Sequence, residues 1–216
     1  MTGSTDELIE RLSGNLAPVR RLWSPGLRAL AWIVLAVLVV TVFVWMRGMR
    51  HDLHARMGEP FWWVQFGAAL LTGATATLAC FEAGLPDRSR AWLWLPLPGV
   101  ALWFTGFGYG CLADWVAVPA DAPIEADSIS CLETLIGTSI PLGLVIWLVL
   151  RRTKPLHAAS AAWLAGLAVA GFADAAHLLI NMVNPSALIL VINILPSAGI
   201  AAAIAGVTRK AGVSAG

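Results

Sequence analysis

The chain has 216 residues, of which 58% are apolar and only 12% charged. A soluble domain carries about 25% charged residues, so this composition excludes an ordinary water-soluble domain and sends most of the chain away from water. The net charge of +1 decides nothing by itself; the placement of the charges does.

Residues 1–26 are the one stretch that reads as a soluble device. Ser4-Thr5-Asp6-Glu7 fits a capping box, and Leu8, Ile9, Leu12 and Leu16 then share one helical face. Pro18 disfavours helical geometry at Ala17, which leaves about a dozen residues, marginal as a free helix in water. Such a segment needs a surface. Two are open: the inner leaflet, with Arg20 and Arg21 at lipid headgroups, or a groove on a cytosolic protein, with Leu8, Leu12 and Leu16 as anchors.

Ala29–Met46 is an uncharged apolar run with basic residues on both sides. At about 1.5 Å per helical residue it reaches about 27 Å, close to the thickness of a bilayer's hydrocarbon core. Arg47 stands where a cleaved signal peptide would have small residues, so the run reads as a first span. Residues 47–60 follow as a polar loop, then a second span over Phe61–Ala83, opened by Trp62 and Trp63. A tight LPDRSR turn leads to a third span over Ala91–Ala113. The fourth covers about Cys131–Leu150, the fifth Ala158–Met182 and the sixth Pro185–Val207, before a short tail. The fold class is therefore an all-α integral membrane protein: a six-helix bundle over 27–207, an amphipathic head over 1–26 and a tail over 208–216.

Charge counting gives this layout a direction. With the N-terminus inside, the inner segments hold eleven Lys and Arg residues and the outer loops only Arg47, Arg50 and Arg56. The loop between the third and fourth spans carries Asp114, Asp121, Glu125 and Asp127 with no base. That asymmetry is the one expected of a membrane protein with both termini in the cytoplasm. Small residues four apart, Ser139/Gly143, Gly166/Ala170 and Gly199/Ala203, let helices approach closely, and Pro96, Pro98, Pro141 and Pro196 are expected to kink their spans.

Ionisable groups are sparse within the spans. Asp174 and His177 lie three apart on one face of the fifth span, in its outer half, at a depth similar to Cys111, Cys131 and Glu133. Three readings of this group stay open: ordinary helix-end polarity, a disulfide between Cys111 and Cys131 across a 19-residue outer loop, or a Cys/His/carboxylate metal or thiol sensor drawing on Cys131, His177 and Asp174. The three cysteines form no C-x-x-C pattern, against a zinc ribbon or a thioredoxin-like motif.

These segments resemble the NrsF family of bacterial membrane-bound anti-sigma factors. The resemblance rests on ELIERLSGNLAPVRRLWSPGLRAL at the start, LPDRSRAWLWLPLP into the third span, YGCLADW at its end, and the SCLETLIGTSIPLGLVIWLVLRRTKPL block. It implies a head that sequesters an extracytoplasmic-function sigma factor, with Leu8, Ile9, Leu12, Leu16, Val19, Arg20 and Arg21 as the partner-binding residues. It also implies two periplasmic-side cysteines that sense oxidants or heavy metals and release the partner. Cys131 matches the first of them. The second follows a His in an H-C-P pattern, whereas here Leu178 follows His177. Either Cys111 partners Cys131, or the signal is different.

The expectation is a non-enzymatic regulator with no cofactor, bound to a sigma factor and to the bilayer and without direct contact to nucleic acid. Two other classes compete. A small transporter would show charge at mid-membrane and internal repeats, which this sequence lacks, and a membrane thiol oxidoreductase needs more cysteines than three.

Overall fold

The computed structural model describes residue 10 and residues 23–85, 88–106, 127–153 and 158–181, with backbone alone over 127–132. All regular structure among these residues is helical. Helix α1, Pro25–Arg47, starts where Ser24 Oγ accepts from the Leu27 amide at 3.4 Å and Pro25 takes the first helical position. It stops at Gly48, whose φ of 84° lies in the left-handed region that glycine tolerates. The polar loop that follows is not featureless, because Leu53–Met57 forms a short helix, α2. Helix α3, Pro60–Glu82, again opens on proline.

The third span begins differently from the expectation. Arg90–Trp94 is a 3-10 turn, and residues 97–106 then form helix α4. Pro96 and Pro98 therefore stand at the start of this helix, where a missing N–H costs nothing, rather than within it. Helix α5, Asp127–Thr153, continues through Pro141, and α6 covers Ala158–Ile180. Among the described residues four stretches are long and apolar enough to cross a membrane: Pro25–Arg47, Pro60–Glu82, Glu133–Thr153 and Ala158–Ile180. The expected sixth span, the tail, and the head apart from residue 10 and residues 23–26 lie outside the described residues.

Helix α6 is the centre of the bundle, in contact with α1, α3 and α5. In its most apolar window 78% of residues are buried, against 17% in α1, so α1 gives most of its surface to the surroundings. Helices α3 and α6 approach closely. A Cβ added at Gly171 would stand 2.7 Å from both Ala69 O and the Gly73 amide nitrogen, and one added at Gly73 would stand 2.9 Å from the Phe172 ring. Two facing glycines thus bring the backbones together, which is how helices gain contact energy where lipid tails are as apolar as the side chains. Trp32 of α1 meets Phe172 edge-on, with ring centroids 5.6 Å apart.

Contacts at the two ends show the helices alternating in direction. At one end Arg28 lies over the Phe81 ring, Cys80 Sγ donates to Ala161 O at 3.3 Å and Arg88 pairs with Glu82 at 3.0 Å. At the other, Arg47 pairs with Glu133 at 2.5 Å and the Arg50 amide donates to Leu179 O at 3.2 Å. We call these the Arg28 end and the Arg47 end.

Candidate sensory site near the Arg47 end

Polar side chains gather inside the bundle toward the Arg47 end. Asp174 and His177 share a face of α6, as their spacing requires, and both are fully buried. They have different partners. Asp174 Oδ2 accepts from Trp103 Nε1 of α4 at 2.8 Å. His177 Nδ1 lies 2.8 Å from Asn181 Nδ2, one turn further along the chain. Trp103 reaches the carboxyl group through a slot walled by alanines, among them Ala68, Ala69, Ala170 and Ala175. The small residues of α3 and α6 thus admit one large indole and aim its N–H at an acid.

The remaining groups give the site its character. Asp174 Oδ1 has no hydrogen-bond partner among the described residues, and neither has Gln65 Nε2 on the neighbouring helix α3. Both side chains are buried, and α4 comes close enough there that a Cβ on Gly106 would stand 3.4 Å from Gln65 Cγ. A buried carboxyl within a membrane-spanning helix is costly unless paired, so such groups mark functional positions more often than chance. Among the described residues no set of three or more His, Cys, Asp and Glu side chains comes together to hold a metal ion.

Above this cluster the 48–59 turn is tied down electrostatically. The buried Arg50 guanidinium grips Asp52 with two parallel bonds, Nε to Oδ1 at 2.6 Å and Nη2 to Oδ2 at 2.9 Å. That fork holds the Asp52 carboxyl at about 2, below the ordinary carboxylate range; its partial burial opposes the shift, and the Arg50 charge and the more distant Arg56 reinforce it. The same turn connects to α6 through the Arg50 amide and Leu179 O.

The expected sensing residues are only partly assembled here. His177 lies inside the bundle, and Cys131 lies in the second turn of α5, two residues before Glu133. Its thiol and all of Cys111 lie outside the described residues, as do Leu8, Ile9, Leu12, Leu16, Val19, Arg20 and Arg21 of the head. Trp103, Gln65, Asn181 and Arg50 are the additions the structure makes. Trp103, Gln65 and Asn181 carried a faint signal: a tryptophan or an amide inside an apolar segment needs a hydrogen-bond partner, but the sequence does not say which.

No curated protein and no solved structure matches the chain. The family profile described as NrsF, negative regulator of sigma F, matches residues 12–210, more than nine-tenths of the sequence. The match takes in the second half of the head together with every helix described above, and on that extent the chain belongs to the NrsF family, the negative regulators of sigma F.

Proposed function

We propose that the protein is an inner-membrane anti-sigma factor whose head, residues 1–26, holds a sigma factor of the extracytoplasmic-function class away from RNA polymerase. The observation that carries this reading is the family match itself, which begins inside the head at residue 12 and runs on through the bundle. The four long apolar helices agree with a membrane tether. In this reading both termini face the cytoplasm and the Arg47 end faces the periplasm. The head folds against its partner because about a dozen residues cannot stay helical alone.

Release follows a redox or metal signal at the Arg47 end, felt by Cys131 with Cys111 and transmitted through α6 and its buried His177. Leu178, 3% exposed, fills the position after His177 where the family pattern has its second cysteine, so this chain relies on Cys111 as the partner thiol or answers a different stimulus. For the head to pass from almost always occupied to almost always empty, the signal must change its affinity by a factor worth about 5.5 kcal/mol.

The test is capture of the sigma factor by the full-length, membrane-embedded chain. Leu12→Asp places a charge in the apolar stripe and is expected to abolish co-purification of the partner while leaving membrane insertion unchanged. Capture equal to wild type would remove the head from the mechanism. Protease protection that placed Met1 on the periplasmic face would remove the whole regulatory reading.

A further inference from the structure

The Arg28 end holds two cavities with one wall in common. The larger, about 180 Å³, lies between the turn after α3 and the start of α6; Arg88, Arg90 and Ser160 line it, with Leu85 and Leu93 as its apolar sides. The smaller, about 60 Å³, lies across Leu85, among Arg28, Phe81, Leu150 and Thr153. Among the described residues around them, the bases Arg28, Arg88 and Arg90 outnumber the acid Glu82. Glu82 is committed to Arg88, and no ion pair with a described residue reaches Arg28 or Arg90. Arg28 Nε is buried without an acceptor among the described residues, its guanidinium resting on the Phe81 ring at 5.7 Å.

A guanidinium held in a recess, its buried Nε–H without an acceptor among the described residues, is complementary to a phosphoryl oxyanion, which accepts several charge-assisted hydrogen bonds at once. The walls decide which phosphate. Leu85, Leu93 and Phe81 offer nothing to a free, fully hydrated anion, whereas the glyceride part of a lipid gains by lying on them. Acyl chains would continue along residues that already face outward near this end, Leu27 and Leu30 of α1, each 56% exposed. Basic recesses between membrane helices are general sites for anionic headgroups.

We propose that these two cavities form a site for an anionic glycerophospholipid, its headgroup phosphate held by Arg90 with Ser160 and by Arg28 across Leu85. The site stands apart from the regulatory reading, since it needs the membrane but no sigma factor. It adds a second function to this end of the bundle: Arg28 lies in the first turn of α1, so the lipid would be anchored where the head joins the spans.

The test uses the full-length protein in nanodiscs of phosphatidylcholine containing a minority of phosphatidylglycerol, with retained lipids counted by native mass spectrometry. The wild type is expected to retain phosphatidylglycerol in preference, and the Arg28→Gln/Arg90→Gln double variant to lower that retention about tenfold. Arg152→Gln removes an exposed charge from the same end outside both cavities and is expected to change nothing. Ser160→Phe fills the larger cavity without altering charge and is expected to lower retention as well, which keeps the test available if the double variant misfolds. Equal loss in Arg152→Gln would mean diffuse surface charge and overturn the site. Displacement of the lipid by inorganic phosphate as readily as by phosphatidylglycerol would overturn its assignment to lipid.

Discussion

Trp103 and Asp174, 71 positions apart in the chain, meet inside the bundle through a 2.8 Å hydrogen bond that joins α4 to α6. The indole is the one donor the carboxyl group has among the described residues. Trp103→Phe keeps most of the volume and removes the N–H, so it is expected to lower stability by about 1 kcal/mol or somewhat more. Asp174→Asn keeps a carbonyl that can accept the same bond and is expected to cost less. Thermal unfolding in detergent separates the two; a Trp103→Phe variant that melts with the wild type would show that the bond contributes nothing.

Gly171 sets how closely α3 and α6 approach. A methyl group there would collide with backbone atoms of Ala69 and Gly73, which cannot rotate away as a side chain can. Gly171→Ala is expected to destabilise the bundle by about 1–3 kcal/mol and Gly171→Val by more. Gly67→Ala, on the same helix α3 but with open space around its Cβ, serves as the control and is expected to be neutral or slightly stabilising. The yield of folded, monodisperse protein is the readout.

The Arg50–Asp52 fork predicts an acid-side effect. The Asp52 carboxyl is held at about 2 in the folded protein against an ordinary 3.8, so the ionised form is favoured by folding. Its contribution is complete above the ordinary value and is lost as the pH falls through 3.8 toward 2. Asp52→Asn is therefore expected to be less stable than wild type at neutral pH, with the difference shrinking across that window. Because Asp52 is 39% exposed, the effect is modest. A gap between the two proteins that stays constant down to the lowest pH would assign the difference to shape rather than charge.

Cys80 is expected to take no part in thiol signalling. It is 2% exposed and donates to Ala161 O, so a maleimide added to intact membranes should label it only after unfolding. Cys80→Ser should leave release of the sigma factor unchanged, whereas Cys131→Ser should blunt it. Rapid native labelling of Cys80 would contradict its placement.

The long helices were legible because lipid imposes one simple demand, about 20 apolar residues that satisfy their own backbone, and Pro25 and Pro60 mark where two of them begin. The third span was harder. Its Trp and Pro residues satisfy hydropathy whether the backbone is a 3-10 turn or an α-helix, so a span starting at Ala91 takes in all but the first residue of the Arg90–Trp94 turn. Asp174 and His177 were visible as a pair because they are three apart on one helix. Trp103 as the acid's partner was not, since a contact across 71 residues leaves no periodic trace in the chain. The facing glycines leave no trace for the same reason: spacing of small residues within one helix marks Gly166 and Ala170, while a close backbone contact joins Gly73 of one helix to Gly171 of another.

Ser24 and Pro25 at the root of α1 limit how anything can be passed to the head. Ser24 has an extended backbone, with ψ at 146°, and the proline ring bars it from the helical region, so α1 cannot lengthen backwards into the residues before it. Because the Leu27 and Arg28 amides both donate to Ser24, that residue moves with the helix, and raising, lowering or tilting α1 would carry the tethered segment to a new position relative to the lipid surface.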